Sequence, residues 1–205
     1  MSDPVKRRYD ASGRRAAAEA TRKRIRTAAE TLFLRDGYAR TSIRAVAQEA
    51  GVAEATVYLA FSTKAELLNA TIVGATRDNP GEPFRAILEA PPTQILARLA
   101  ASNAATLHRA ARLIALGESA LLMDAALRPP RDRAHAILRA AYAAIAERLA
   151  GARLLRPGLT AAEAADTLYA ICNETTYLRF TANGAQTPER YANWLTTTLE
   201  AAVRG

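Results

Sequence analysis

The stretch from Thr41 to Phe61, TSIRAVAQEAGVAEATVYLAF, constrains the chain more than any other. It reads as two short helices joined by a tight turn. Ala47, Gly51 and Val57 stand where a helix-turn-helix needs a small residue at the helix crossing, a permissive turn residue and an apolar residue beneath the second helix. A helix advances one turn every 3.6 residues or so, which assigns the faces of the second helix. If Val57 points into the core, Phe61 follows it one turn later, and Glu54 lies near that side one turn earlier. Ala55 and Leu59 then face away, with Thr56 and Tyr58 on the flanks.

An exposed pair as small and apolar as Ala55 and Leu59 suits a helix lying in a DNA major groove, where it can meet thymine methyls. The Thr56 hydroxyl and the Tyr58 phenol are placed to reach phosphate or base edges. The same pattern also describes an ordinary surface helix held to its neighbour by Val57 and Phe61.

The elements on either side agree with a small helical domain. Ile25, Ala28, Ala29, Leu32 and Phe33 repeat at helical spacing from about Thr21 to Asp36, and Gly37 ends that run. Thr41 or Ser42 caps the next helix, whose inward face is Ile43, Val46, Ala47 and Ala50, with Arg44 off that face and able to reach phosphate. Thr63-Lys64-Ala65-Glu66 has the form of a capping box and opens a helix carrying Leu67, Leu68, Thr71, Ile72 and Ala75. A lysine at a helix start is electrostatically awkward, and a nearby phosphate removes the awkwardness.

Thr21 to Ile72 resembles the N-terminal DNA-binding domain of TetR-family transcriptional regulators. The likeness lies in Asp36-Gly37-Tyr38, the Thr41-Ser42 start, the block Ala47-Gln48-Glu49-Ala50-Gly51-Val52, and Thr56-Val57-Tyr58 followed by Phe61 and Lys64. It covers about a quarter of the chain; the remainder is similar only in being helical and of suitable length. The resemblance implies DNA contacts from Thr41, Arg44, Ala55, Thr56, Tyr58, Leu59 and Lys64. Two departures stand out. Ala53 replaces the usual hydroxyl cap of the recognition helix, and Glu54 repels phosphate unless it turns inward or reads a cytosine amino group. With Leu59 and Ala60 where relatives carry polar or aromatic residues, phosphate contacts and DNA shape are expected to carry much of the affinity.

Composition sets the wider frame. Half of the 205 residues are hydrophobic, and glycine and proline are sparse, so an all-α fold with a real core is expected. The net charge of +8 points to a polyanionic partner, nucleic acid or an acidic membrane surface. A single cysteine, Cys172, excludes an internal disulfide and offers no thiolate cluster for a metal. No signal peptide or membrane span is expected, and the chain fits the cytoplasm.

Three regions follow: a flexible basic arm over 1–20, a three-helix helix-turn-helix domain over 21–78, and a ligand-binding and dimerisation domain over 79–205 built as an antiparallel helical bundle. The arm carries Lys6, Arg7, Arg8, Arg14 and Arg15, and reads either as a DNA-tracking segment or as a solvated leader. Asp78 to Pro83 is a breaker-rich linker, and a short helical piece runs from Phe84 to Glu89. Helices are expected at about Thr93 to His108, Ala110 to Leu127, Pro130 to Ala150, Thr160 to Asn183 and Pro188 to Val203, with stops at Pro129-Pro130, Gly151 to Gly158 and Gly184 to Thr187.

The family likeness implies that the last two long helices pair across a twofold axis, through Leu168, Cys172, Thr175, Tyr191, Trp194, Leu195, Thr198 and Leu199. Without it, such a stripe reads as intrachain core. The likeness also implies a small-molecule pocket, for which His108, Arg112, Glu118, Met123, Tyr142, Tyr169, Asn173 and Tyr177 are candidates. The expected function is then a homodimeric, sequence-specific regulator, a repressor released from a palindromic operator by its ligand, with no cofactor and no metal. The alternatives are a sequence-indifferent DNA-packaging or membrane-surface protein and a helical enzyme. For the enzyme the sequence supplies no His pair at metal-ligand spacing, no phosphate loop and no nucleophile elbow; Asp132 and His135 on one helix face read as a surface ion pair.

Overall fold

The computed structural model describes residues 4–77, 81–182, 184 and 187–204. Residues 78–80 of the linker, the expected helix end at Asn183 and the stop residues 185–186 lie outside the described residues, as do the side chains of Lys6, Arg7 and Arg8. The described residues form ten α-helices and two single 3-10 turns, without strands.

The first helix, α1, spans Pro4–Asp36. It therefore takes in most of the segment expected as an arm, because alanine, arginine, lysine and glutamate dominate its N-terminal half and nothing between Pro4 and Asp36 except Gly13 disfavours a helix. Gly37, at φ 83°, ends it as the sequence predicts, and Tyr38 folds back onto Phe33 with ring centroids 5.8 Å apart. α2, Ile43–Ala50, is capped by the Ser42 hydroxyl, which accepts from the Ala45 amide at 3.1 Å. Gly51 closes it at φ 63°.

α3, Glu54–Ala60, starts at Ala53 with no side-chain cap, the expected weakness. α4, Lys64–Arg77, begins on the Thr63 hydroxyl, which accepts from the Glu66 amide at 3.0 Å; the Glu66 carboxylate in turn accepts from the Ser62 amide at 2.8 Å. The predicted inward residues of α1 and α2, with Val57, Phe61, Leu67 and Leu68, make one core.

α5, Phe84–Glu89, leads through a 3-10 turn at Pro92–Gln94 into α6, Ile95–Ala120. The two helices expected from Thr93 to Leu127 are one, since His108-Arg109-Ala110 contains no breaker. At its far end α6 passes into the first domain: Ala120 and Leu127, the latter in the 3-10 turn Ala125–Leu127, are buried in the helix-turn-helix core. The described end of the linker, at Gly81 and Glu82, is docked as well. A Cβ on Gly81 would stand 2.2 Å from the Ser102 carbonyl, so only glycine fits there, and Glu82 is paired with Arg98 of α6, the Arg98 Nε lying 2.8 Å from Oε2.

α7, Arg128–Gly151, packs along α8, Ala161–Ile171, while α9, Glu174–Thr181, and α10, Pro188–Val203, lie along α6. The single helix expected from Thr160 to Asn183 is broken after Ile171. Asn173, a ligand candidate, is the N-cap of α9, its Oδ1 accepting from the Thr176 amide at 2.9 Å. The Cys172 carbonyl, released from helix bonding by the break, accepts from Asn103 Nδ2 and from the Tyr142 hydroxyl, both at 3.3 Å. A buried carbonyl left unpaired is costly, so the break and these two side chains belong together.

α10 corrects the dimer assignment. Leu168, Cys172, Tyr191, Leu195 and Leu199 are buried within the single chain, in the core shared by α6, α7 and α8. The widest apolar stripe of the last helix has its partner in α6, so it is core. Of the residues expected at an interface, Thr175 and Trp194 are exposed and Thr198 is half-buried.

Candidate nucleic-acid interface

The recognition helix presents the face that the sequence predicts. Val57 and Phe61 are buried, Thr56 is half-buried, and Ala55, Tyr58 and Leu59 project into solvent, with Leu59 at 89% exposure. A groove-reading surface gives an exposed leucine a use. Glu54 is exposed rather than turned inward. Arg44 is exposed on α2. Thr41 is different: it is buried and its hydroxyl donates to the Gly37 carbonyl at 2.9 Å, so it shapes the turn before α2 and has no free group for DNA.

Arg22 holds the recognition helix from behind. Its guanidinium donates to the Ala60 carbonyl at the end of α3 at 2.5 Å and lies 4.4 Å from the centre of the Phe61 ring. A cation at a helix C-terminus satisfies an orphan carbonyl and complements the helix dipole, which helps so short a helix stay formed. Sequence placed Arg22 only within a basic cluster, because a bond spanning 38 residues leaves no local signal. Arg22→Ala is expected to lower the melting point of the domain by an amount equivalent to about 1–2 kcal/mol and to weaken DNA binding with it. Unchanged thermal unfolding and unchanged affinity would remove this role.

Lys64 sits at the start of α4, with its ammonium 4.3 Å from the centre of the Tyr38 ring and 3.4 Å from the Ala39 carbonyl. Burial draws its pKa below the ordinary lysine range, and the Asp124 carboxylate works against that shift. The basic surface continues along α1. Lys23 and Arg24 flank an open groove of about 430 Å³ between α1 and α2, and Lys23, Arg26 and Arg109 surround a cleft of about 20 Å³ where α1, α4 and α6 meet.

Several ligand candidates are neighbours: the Tyr142 and Tyr169 rings meet edge to face at 6.3 Å, and Tyr142 and Tyr177 belong to the same core. His108 Nδ1 is 3.1 Å from the Tyr177 hydroxyl. Tyr169 is hydrogen-bonded to His135, whose Nε2 lies 3.3 Å from Glu118, and Arg139 lies over the Tyr169 ring at 3.9 Å. His135 thus turns to Tyr169 and Glu118 across helices, while Asp132 pairs with Arg131 at 3.2 Å, so the expected Asp132–His135 pair is replaced. Tyr142 and Tyr177 are buried, Arg112 is exposed, and Met123 is exposed on the turn after α6. Burial pushes the Cys172 thiol up to about 12, so it is held as an inert core group. Among the described residues no group of three or more His, Cys, Asp or Glu side chains is arranged to hold a metal, and no helix is long and apolar enough to cross a membrane.

A short helix with a bare apolar and aromatic face, carried on a three-helix core and bordered by cations, defines a helix-turn-helix DNA-binding protein. Residues 25–71 match the family model of the bacterial regulatory proteins of the tetR family. Over 91% of its length the chain has the fold of solved bacterial regulators. NalD of Pseudomonas aeruginosa, described as the secondary repressor of the MexAB-OprM multidrug efflux pump, is 24% identical at a TM-score of 0.70, over 91% of this chain and 98% of that one. A transcriptional regulator from Saccharomonospora viridis in complex with choline is 19% identical at 0.71, over 91% and 99%. SmeT in complex with triclosan is 22% identical at 0.71, over 91% and 92%. No curated protein matches the sequence. Residues 25–71 thus carry the sequence of the tetR-family DNA-binding domain, and the chain has the fold of these solved regulators.

Proposed function

We propose that the protein is a homodimeric repressor that binds a palindromic operator and is released from it by a small molecule. The observation that carries this reading is the outward face of α3, where Ala55, Tyr58 and Leu59 are exposed beside Lys64 and Arg44. Tyr58, Arg44 and Lys64 meet phosphates, Leu59 and Ala55 meet thymine methyls, and Thr56 reaches a base edge or phosphate from the flank. Two copies pair through the solvent side of α10, where Asn193, Trp194, Thr197 and Ala201 lie at helical spacing and are exposed, with Thr175 and Thr198 beside them. Such pairing sets two recognition helices about one DNA turn apart. The solved relatives described with choline and with triclosan support a small organic effector held by the second domain.

The test is selection of bound sequences from a random double-stranded DNA pool at near-physiological salt. A palindromic motif is expected; enrichment of no sequence would favour sequence-indifferent binding. On the selected site, Tyr58→Ala and Lys64→Ala are each expected to weaken binding by roughly tenfold, as lost phosphate or base contacts do, while leaving self-association in sedimentation unchanged. Full affinity in both variants would remove this face from the interface.

A further inference from the structure

We infer that Asp124, contributed by the turn after α6, sets the strength of the DNA contact made by Lys64, because its carboxylate competes with the DNA phosphate for the Lys64 ammonium. The inference rests on the reading above that Lys64 meets a phosphate. Asp124 is 86 residues from Tyr38 in sequence, yet the Tyr38 hydroxyl donates to Asp124 Oδ2 at 2.6 Å. The face of that same ring carries the Lys64 ammonium at 4.3 Å. One tyrosine therefore holds a cation on its face and an anion at its hydroxyl.

The carboxylate is fixed in place. Asp124 Oδ1 accepts from the Ala126 amide at 3.0 Å, and Ala120 and Leu127, on either side of Asp124 in sequence, are buried in the helix-turn-helix core. Among the described residues no cation stands within ion-pair distance of Asp124, and Lys64 likewise makes no ion pair. The nearby ammonium is then the charge that offsets this carboxylate through space. When the ammonium turns to a phosphate, Asp124 is left uncompensated beside a polyanion, and part of the phosphate contact is spent against that repulsion. The second domain thus supplies an acidic residue to the DNA-binding surface of the first.

Asp124→Asn removes the charge and keeps a polar contact at both places, with Oδ1 still accepting from the Ala126 amide and Nδ2 now donating to the Tyr38 oxygen. It is expected to tighten binding to a mixed-sequence DNA duplex by about two- to fivefold at low salt, with the gain shrinking as salt rises. Tyr38→Phe, which frees the carboxylate to swing onto the ammonium, is expected to weaken binding. Opposite signs separate charge competition from a merely structural clasp, for which both variants lose affinity. In a Lys64→Ala background the gain from Asp124→Asn should vanish. The inference is overturned if Asp124→Asn, folded as judged by its melting curve, fails to tighten binding, or if its gain survives without Lys64. A Lys64→Ala variant of full affinity would instead overturn the phosphate contact on which the inference stands.

Discussion

Replacing Leu127 with alanine is expected to destabilise the helix-turn-helix domain by about 2–5 kcal/mol, the usual cost of emptying a buried leucine site. The residue lies beyond the domain in sequence, yet it is buried among the residues of α1, α2 and α4, with Ala120 beside it in the same core. The neighbours cannot close the gap readily, because the Tyr38–Asp124 hydrogen bond pins the turn that carries Leu127. Urea unfolding of the full chain gives the size of the loss, and amide hydrogen exchange gives its location. Protection should fall in α1 to α4. A loss confined to α7 amides would mean that Leu127 serves only its own helix.

Tyr191→Ala is expected to cost about 3–5 kcal/mol in the second domain. Its ring is fully buried and packs edge-on against Tyr177 at 4.8 Å and Phe180 at 5.3 Å, and its hydroxyl donates to Asn103 Oδ1 at 3.2 Å. Truncation empties an aromatic site and also leaves Asn103, whose amide bonds the Cys172 carbonyl, short of a partner. Tyr191→Phe, which keeps the ring, should lose only about 1 kcal/mol. The pair of variants distinguishes core from interface: self-association in sedimentation should be unchanged in both, while thermal stability falls in the order alanine, phenylalanine, parent. A dimer that dissociates in Tyr191→Ala with stability intact would return this residue to the interface.

The first domain was legible because its elements are short and locally punctuated. Gly37, Ser42, Gly51 and Thr63 each end or begin a helix by chemistry confined to a few residues, and Val57 with Phe61 fixes the face of α3 by spacing alone. The second domain was legible as helices but not as partners. Periodicity alone reads the stripe of α10 as intrachain core, and its cover by α6 of the same chain agrees; the family likeness is what turns that stripe toward a second copy. The helix break that Asn173 and Tyr142 serve is signalled only by Asn173 as a cap, which competes with its placement mid-helix. Arg22 and Asp124 escaped notice for another reason. Their partners, Ala60 and Tyr38, are tens of residues away, and a contact between distant residues leaves no periodic trace.

Gly81 carries a consequence for how the two domains move. A backbone that approaches Ser102 so closely that no side chain fits is not a swivel, and the Glu82–Arg98 pair fastens the same stretch to α6. Where α4 crosses α6, a Cβ on Gly117 would stand 2.8 Å from Ile72 Cδ1, so the two helices meet with little between them. The described contacts thus hold α6 to the chain at Gly81 and Glu82 near one end and to the helix-turn-helix core through Ala120 and Leu127 at the other. On the proposed reading, in which a ligand reorients the recognition helix, the motion is expected to be shear, with α4 sliding along α6 in small steps between alternative packings of side chains such as Ile72. Such a motion would be bounded by the volume of those side chains, so bulk added at Gly117 would act as a brake on it rather than as a lesion in either domain.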